Sequence, residues 1–388
     1  MTPGARIQAA IDLLDRISAG EPAEKALTSW ARGSRFAGSG DRAAVRDHVY
    51  QALRCWRSYA CLGGGDSGRA RMIGALRSAG SDPAEVFTGI GHAPAPLTAA
   101  EEAAGWAPSG ADAVDLPEWL WETFQASLGP DAEAAAMVLR QRAPVMLRAN
   151  LRHAGRDDIV RTLAEQDIHS EVHPVAKTAI KVIDGARRIA RSRAYLEGLV
   201  ELQDGSGQAA MEGIDLTASE SILDYCAGGG GKALALAART DAQVYAHDID
   251  ARRMQDLPER AKRAGADVTL LDTSALPANA PYAIVLCDAP CSGSGTWRRT
   301  PEAKWRLTPD WLDELTDLQT DILGKASQLV APGGQLIYAT CSVLRVENEE
   351  RIEEFLAGAT VWRLEKQQRF EISDGGDGFF VTHLTRAM

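Results

Sequence analysis

Two cysteines stand in polar turns directly after predicted strands, where a thiol can act on a bound ligand. Cys291 lies in DAPCSGSG at 288–295, and Cys341 lies in ATCS at 339–342. If the two preceding strands pair, both thiols enter one crevice. A thiol beside a helix terminus and polar groups can have a lowered pKa and act as a nucleophile. Two such turns favour covalent chemistry over simple burial, whereas Cys287 alternates within an apolar strand and is predicted to lie in the core.

A glycine loop after an earlier strand predicts a ligand site at the same edge. The segment DYCAGGGGK spans 224–232, and its glycines allow positive φ and close backbone approach to a ligand. It fails the phosphate-loop pattern, because Cys226 and Ala233 stand where glycine and Ser or Thr are needed. It satisfies G-x-G-x-x-A, and Asp248 follows as an acid for a ribose diol.

The acids that follow four predicted strands discriminate between cofactors. They are Asp224, Asp248, Asp272 and Asp288. Their charges would repel a pyrophosphate and suit a cationic ligand that contains adenosine. The pattern therefore favours S-adenosyl-L-methionine. A nicotinamide-dependent oxidoreductase is the alternative, and it leaves both cysteine turns unexplained.

These residues need a sheet to bring them together. From about residue 221, strands and helices alternate, which is typical of a parallel sheet with right-handed crossovers. Ligands bind beyond the carboxyl ends of strands in such sheets. The predicted strands are 221–225, 243–247, 268–271, 282–287, 335–339 and 379–384, with helices from 232, over 251–264 and over 309–329.

Two further regions precede the sheet, which occupies residues 206–388. Residues 1–107 have helical apolar spacing, with Asp41 as a predicted N-cap, and indicate a small bundle. Residues 108–205 predict a linker helix and a small α+β module, with strands at 145–150 and 168–172 around a helix at 156–166. Arginines in both regions suggest local basic patches, with solvated faces as the alternative; they are Arg42, Arg46, Arg54, Arg57, Arg148, Arg152, Arg187, Arg188, Arg191 and Arg193.

Composition limits the functional classes. The 388 residues include 42 Lys and Arg against 53 Asp and Glu, a net charge of −11, so RNA contact would use local patches. No apolar run approaches the ~18 residues of a membrane span, and the N-terminus does not resemble a signal peptide. Six cysteines without a Cys-x-x-Cys pair argue against a disulfide framework and a zinc site. We expect a cytoplasmic protein without membrane or metal partners; its oligomeric state stays open, with a monomer favoured.

Together these segments resemble the RNA cytosine-5 methyltransferases of the RsmB (Fmu/Sun) family. The resemblance covers 200–388 and implies a Rossmann-like S-adenosylmethionine-dependent methyltransferase domain with a mostly parallel sheet. It further implies a preceding α+β module and an N-terminal helical, NusB-like RNA-binding domain. The matching segments are DYCAGGGGK at 224–232, DID at 248–250, DAPCSGSG at 288–295, RRTPEAKW at 298–305, YATCS at 338–342, Glu347-Asn348 and DGFF at 377–380.

The resemblance implies a role for each site residue. Cys341 is the implied nucleophile that adds to carbon 6 of cytosine, and this makes carbon 5 electron-rich enough to accept a methyl group. Cys291 assists release of the enzyme, and Asp288 also holds the base near its N3. Gly229 departs from the family pattern, which has Pro or Ala there. The implied cofactor-binding residues are Cys226, Ala227, Gly228, Gly229, Gly230, Gly231, Lys232, Asp248, Asp272 and Asp288.

The implied substrate is RNA, with 16S rRNA favoured. The target base must leave its stack, and loop RNA lowers that cost by a few kcal/mol. Two alternative functions remain. The intact cysteines argue against a non-catalytic RNA-binding factor, and the Thr-Cys-Ser turn argues against a DNA cytosine methyltransferase. The predicted RNA-binding patch, for phosphate contact and base stacking, comprises Arg298, Arg299, Lys304, Trp305 and Arg306; a surface loop with incidental charge is the alternative.

Overall fold

The computed structural model describes residues 1–217 and 219–388. Its helices are α1 (Pro3–Ser18), α2 (Ala23–Gly33), α3 (Ser39–Arg54), α4 (Trp56–Gly63), α5 (Gly68–Ser78), α6 (Ala99–Ala103), α7 (Glu118–Leu128), α8 (Ala132–Leu139), α9 (Arg156–Ala164), α10 (Arg193–Leu196), α11 (Gly205–Glu212), α12 (Gly231–Ala237), α13 (Leu257–Ala264), α14 (Leu276–Asn279), α15 (Glu302–Arg306), α16 (Pro309–Ser327) and α17 (Glu349–Gly358). Its strands are β1 (Val145–Ala149), β2 (His169–Val172), β3 (Ala179–Asp184), β4 (Val200–Leu202), β5 (Ser221–Asp224), β6 (Gln243–His247), β7 (Val268–Leu271), β8 (Tyr282–Asp288), β9 (Val330–Thr340), β10 (Trp362–Phe370) and β11 (Phe379–Arg386).

The chain folds into two compact units. The first unit comprises Met1–Arg142 and Trp297–Arg306, and the second comprises Ala143–Thr296 and Leu307–Met388. The predicted boundaries at 107/108 and 205/206 do not coincide with this division. Asp115, for example, accepts hydrogen bonds from two backbone N–H groups of α4, which ties the chain beyond residue 107 to the helices before it. The division into three domains stays a prediction.

The first unit is a bundle of helices. Ile7, Leu14 and Val45 are buried in its core, as their helical spacing predicts. The prediction of Asp41 as N-cap of α3 is wrong, because the helix begins after Gly38. Asp41 instead lies in the first turn and accepts a hydrogen bond from the Gly38 N–H at 3.2 Å, which still satisfies a free donor at the helix terminus.

The second unit opens with a four-stranded antiparallel sheet in the order β2-β3-β1-β4. Leu147, Ile180 and Val200 of this sheet pack against Ile159 of α9 in one apolar core. The predicted α+β character is confirmed. Strand β3, which pairs with both β1 and β2, was not predicted from the sequence.

The larger sheet of the second unit has seven strands in the order β10-β11-β9-β8-β5-β6-β7. The strands from β9 to β7 are parallel, and β10 and β11 add an antiparallel edge, so the predicted mostly parallel sheet is confirmed. β6 and β7 have the predicted bounds, and Cys287 is fully buried in β8. Strand β10 and helix α17 were not predicted.

The pairing of β8 decides where the site forms. This strand lies between β5 and β9 and runs parallel to both. The carboxyl ends of these three strands therefore meet at one edge of the sheet. Within residues 1–217 and 219–388, no helix has the length and apolar character needed to cross a membrane.

Candidate active site

The two cysteines meet at the carboxyl ends of β8 and β9. In the register of these strands Asp288 is opposite Ala339. The turns that follow them, residues 288–295 and 340–342, are called the cysteine turns below. They bring the Sγ atoms of Cys291 and Cys341 to 3.4 Å, with both side chains partly exposed. The predicted juxtaposition of the two thiols is confirmed.

The environments of the cysteines separate them chemically. The hydrogen bond with Cys341, followed by burial, raises the pKa of Cys291 well above its ordinary value. The two sulfur atoms are within hydrogen-bond distance, and either thiol can donate to the other. Burial also raises the pKa of Cys226 and of Cys287. These shifts favour the protonated thiol form of Cys226, Cys287 and Cys291.

A buried carboxylate joins the cysteine turns. Glu347 is fully buried. Its Oε1 accepts hydrogen bonds from the Ser292 N–H at 2.7 Å and from Gln319 Nε2 at 3.1 Å. Its Oε2 accepts from the hydroxyls of Ser292 and Ser342, one from each turn. Glu347 belongs to a motif that is visible in the sequence, but its role could not be predicted, because two of its partners, the N–H and hydroxyl of Ser292, lie in a distant turn.

A second set of hydrogen bonds supports this carboxylate. Asn348 accepts from the Thr340 hydroxyl at 2.6 Å and donates to the Ser342 carbonyl at 2.9 Å. The Ser294 hydroxyl lies 2.9 Å from that of Ser342 and accepts from the Val343 N–H at 2.8 Å. Buried polar groups that are hydrogen-bonded on several sides hold one geometry. The network therefore fixes the backbone on either side of both cysteines.

A salt bridge lies beside the thiols. Lys232 Nζ is 2.5 Å from Asp288 Oδ2 and 5.2 Å from the centre of the Phe379 ring. Burial alone would lower the pKa of Lys232, but the carboxylate of Asp288 outweighs it and the pKa is raised. Cys341 is also among the groups that raise the pKa of Lys232, so the ammonium lies within electrostatic range of that sulfur.

The glycine loop has the conformation that its composition predicts. Gly228 and Gly230 have φ of +52° and +78°. A Cβ on Gly230 would lie 2.3 Å from Leu257 Cδ1, so both the backbone and the packing require glycine. The Gly228 N–H donates to Asp248 Oδ2 at 2.9 Å, and Arg253 pairs with the same oxygen at 3.0 Å.

The acids beside this loop fit a cationic cofactor. Asp224 is fully buried at the end of β5, and neither carboxylate oxygen has a hydrogen-bond partner among the described residues. Burial, with a smaller contribution from Asp288, raises the pKa of Asp224 to about 7. A buried acid without partners is stabilised by a positive ligand group. The site thus suits S-adenosylmethionine. The predicted cofactor residue Asp272 differs from Asp224, because its side chain is exposed after β7.

The predicted RNA-binding patch is not a surface patch. Arg298 is 2% exposed and Lys304 is 1% exposed, so the prediction that they present their charges to solvent is wrong. Lys304 Nζ donates to the Arg54 carbonyl at 2.9 Å, and Trp305 Nε1 donates to the Leu53 carbonyl at 2.7 Å. The aromatic residues explain this burial, because Trp305 packs on the apolar core of the first unit. Arg299 is partly exposed and Arg306 exposed, and RNA contact by them stays a prediction.

The arginines of the other predicted basic patches are partly buried or paired with acidic side chains. Arg54 is buried and donates to the Arg298 carbonyl at 2.7 Å, so it is not part of an exposed stripe. Arg148 is buried opposite Glu201 in the β1–β4 pair. Both arginines were expected at the surface, and both are instead internal structural groups. Acidic partners also neutralise Arg46, Arg57 and Arg152, through Glu24, Asp112 and Asp241.

Known proteins share these features. The family described as 16S rRNA methyltransferase RsmB/F matches residues 212–385, and the RsmF/B-like ferredoxin-like domain matches residues 116–188. Ribosomal RNA small subunit methyltransferase B of Xanthomonas campestris is 35% identical over 300 residues, which cover 72% of this chain and 68% of that protein. The chain belongs to the RsmB/F family. The Cronobacter sakazakii protein of the same name is 34% identical over 72% of this chain and 68% of its own length.

Solved structures share the fold. PH0851 aligns with a TM-score of 0.74 over 99% of both chains at 23% identity. NSun6 from Pyrococcus horikoshii, solved with the S-adenosylmethionine analogue SFG, aligns with a TM-score of 0.61 at 17% identity over 70% of this chain and 98% of its own. As a member of the RsmB/F family, the chain is an S-adenosylmethionine-dependent RNA cytosine-5 methyltransferase. The oxidoreductase, DNA methyltransferase and non-catalytic alternatives are thereby excluded.

Proposed function

We propose that this enzyme methylates carbon 5 of a cytosine in 16S rRNA through a covalent bond between Cys341 and carbon 6, and that Cys291 assists release. The single observation that carries the proposal is the 3.4 Å contact between the two thiols at the ends of neighbouring strands. The relatives named for ribosomal RNA small subunit methylation support the choice of RNA. The monomeric state and the cytoplasmic location stay predictions.

Cys341 is the better nucleophile of the pair. The pKa of its neighbour Cys291 is raised well above the ordinary value, whereas the sulfur of Cys341 lies near the Lys232 ammonium. The Cys341 thiol gives its proton to solvent water, and its sulfur attacks carbon 6. The new S–C bond moves the π electrons of the C5–C6 bond onto carbon 5, from where they delocalise toward N3. Asp288, which we place near N3, holds the base in that orientation. Covalent addition thus converts carbon 5 from a poor nucleophile into a competent one.

The second half of the reaction returns the enzyme. Carbon 5 uses its new electron pair to form the bond to the methyl group, which S-adenosylmethionine supplies when bound. Solvent water then takes the proton from carbon 5. The electron pair of that C–H bond re-forms the C5–C6 double bond, and the Cys341 sulfur leaves with the electrons of the C6–S bond. Cys291 lies beside the departing sulfur of Cys341. We therefore assign it to this release step.

The cofactor residues follow from the glycine loop and the acids. We place the adenosine ribose at Asp248 and the positively charged part of the cofactor near Asp224 and Asp288. Lys232 holds Asp288 through their 2.5 Å salt bridge and so serves both cofactor and base. The remaining proposed contacts are Cys226, Ala227, Gly228, Gly229, Gly230, Gly231 and Asp272.

Two alanine variants test the division of labour between the cysteines. Cys341→Ala should lose methyl transfer and the covalent adduct with 5-fluorocytosine RNA, while S-adenosylmethionine still stabilises the protein against heat. Cys291→Ala should still attack and transfer, and it should accumulate a covalent protein–RNA adduct on a denaturing gel. The assay needs reductant, because oxidised thiols would mimic both losses. An adduct with Cys341→Ala and none with Cys291→Ala would transfer the nucleophile to Cys291.

A pair of glycine variants tests the cofactor loop. Gly230→Ala forces a side chain into positive φ and against Leu257, which should cost about 1–2 kcal/mol in backbone strain alone. Gly231→Ala is the matched control for stability, because its Cβ meets nothing within 4 Å. The ligand should stabilise the wild type by about 2.7 kcal/mol at 100 times Kd. Equal ligand stabilisation of Gly230→Ala and wild type would remove this loop from the cofactor site.

A further inference from the structure

A cavity of about 530 Å³ lies inside the first unit and has no role in the chemistry above. Its volume is in the range of about 300–1,000 Å³ that is typical of ligand sites. Three indoles line it, those of Trp56, Trp106 and Trp305, together with charged side chains. This concentration of aromatic rings is notable because aromatic residues form only 6% of the chain.

Two of the indoles are held in place. The guanidinium carbon of Arg71 lies 3.7 Å from the centre of the Trp56 ring, and Arg71 is only 4% exposed. Arg71 Nε also donates to the Trp56 carbonyl at 3.2 Å. Trp305 Nε1 donates to the Leu53 carbonyl. Trp106, in contrast, is 58% exposed and is the ring most accessible to an incoming group.

The charges around the cavity are balanced. Arg71 pairs with Asp66 at 3.0 Å, and Arg57 pairs with Asp112. All four side chains line the cavity. A phosphate would meet two carboxylates, and an aliphatic group would leave the polar atoms unused. A nucleobase has a flat ring to stack on an indole and an edge with both donors and acceptors.

We propose that this cavity binds one unpaired nucleobase of the RNA substrate, stacked on the indole of Trp106. This base is distinct from the target cytosine, because the cavity contains neither cysteine of the active site. The inference rests on the proposed RNA substrate. Stacking on aromatic side chains is the usual way in which proteins bind single-stranded RNA.

The test measures binding of a short single-stranded RNA by the full chain at several salt concentrations. Loss of one stacked base costs about 1–3 kcal/mol, so Trp106→Ala should raise Kd between about fivefold and about 150-fold. The slope of log Kd against log salt should stay unchanged, because no phosphate contact is lost. Trp106→Phe should keep most of the affinity. Trp311→Ala is the control, since Trp311 is 44% exposed and does not line this cavity.

The outcomes separate this inference from the proposed function. Binding requires no catalysis, so a wild type that binds RNA without methylating it would contradict the proposed function and still allow the cavity to be tested. Unchanged Kd in Trp106→Ala, or an equal loss in Trp311→Ala, would overturn the cavity proposal. Photocrosslinking of RNA that contains 5-iodouridine gives a second readout. Crosslinks to peptides with Trp56, Trp106 or Trp305 support the proposal, and crosslinks confined to other peptides contradict it.

Discussion

Glu347 in the second unit and Lys304 in the first are both buried charged side chains, with 0% and 1% exposure. Their surroundings differ. Glu347 receives hydrogen bonds from both cysteine turns. Lys304 donates to the Arg54 carbonyl and lies 4.7 Å from the centre of the Trp305 ring. Burial is the main influence on Lys304, and it lowers the pKa to about 8.

The difference shows two consequences of burying a charge. Desolvation costs several kcal/mol, and hydrogen bonds offset this cost only when they are many and well placed. Around Glu347 the donors come from the segments that carry Cys291 and Cys341, so the charge determines the geometry of the site. Around Lys304 the hydrogen bonds offset the desolvation cost only in part, and the lowered pKa of the ammonium shows the remaining cost. We therefore expect the two residues to respond differently to substitution.

The largest effect is expected for Glu347→Gln. An amide keeps the shape but replaces one acceptor oxygen with an NH₂ donor. It faces either the N–H donors of Ser292 and Gln319, which cannot accept, or the hydroxyls of Ser292 and Ser342, which must then reverse their hydrogen bonds. Displacement of reacting groups by about 1 Å can cost about 100-fold in rate, and we expect kcat to fall by about that factor. Because Glu347 acts through the cysteine turns, the KM for S-adenosylmethionine should change little.

Glu353→Gln is the matched control for this variant, because the Glu353 side chain is 67% exposed in the nearby helix α17. It should retain the wild-type rate. Glu347→Asp should have a higher rate than Glu347→Gln but a lower rate than the wild type. Aspartate keeps both acceptor oxygens, but its shorter side chain holds them farther from the serines. A wild-type kcat in Glu347→Gln would show that the carboxylate does not position the thiols.

A smaller and pH-dependent effect is expected for Lys304→Met. The unfolded lysine binds its proton up to a pKa of about 10.5, while the folded one releases it near 8. Between these values the unfolded state binds more protons, so this residue makes stability rise with pH by up to about 1.4 kcal/mol per unit. Below pH 8 both states keep the proton, so Lys304 adds no pH dependence to the free energy of unfolding. The free-energy cost of burying its charge is then fully present.

Chemical denaturation from pH 7 to pH 10.5 measures this difference. The wild type should gain stability relative to Lys304→Met across the upper part of that range, and at pH 7 the variant should be at least as stable as the wild type. Lys325→Met is the control, because the Lys325 side chain is 63% exposed and pairs with Asp321. Parallel pH profiles of wild type and Lys304→Met would mean that burial does not affect this ammonium.

The smallest effect is expected for Arg306→Ala, two residues from Lys304. Arg306 is exposed and pairs with Glu302 at 2.8 Å, and exposed pairs of this kind contribute about 0.2–1 kcal/mol. If Arg306 contacts an RNA phosphate, the salt dependence of binding should flatten by about 0.7 in slope. We expect that flattening, with Arg363→Ala as the exposed control. An unchanged slope would remove Arg306 from the RNA surface.

Much of the second unit could be predicted because its signals are local. The apolar runs of β6 and β7 are bounded by polar residues and have the predicted ends. The strand β10 was missed because its sequence, WRLEKQQRF, is mostly polar and exposed. It becomes a strand through pairing with β11. Likewise, β3 depends on pairing with β1 and β2.

By itself, the sequence determined the family, the cofactor class and the position of both thiols after strands, because these depend on residue types at short spacing. Tertiary structure alone decided which charges are buried. Lys304 meets the carbonyl of Arg54, 250 residues earlier, and Glu347 meets Ser292, 55 residues earlier. No local pattern distinguishes Lys304 from the exposed Arg306 beside it. Charge and helical spacing are local properties, whereas the removal of a side chain from water depends on distant segments that pack around it.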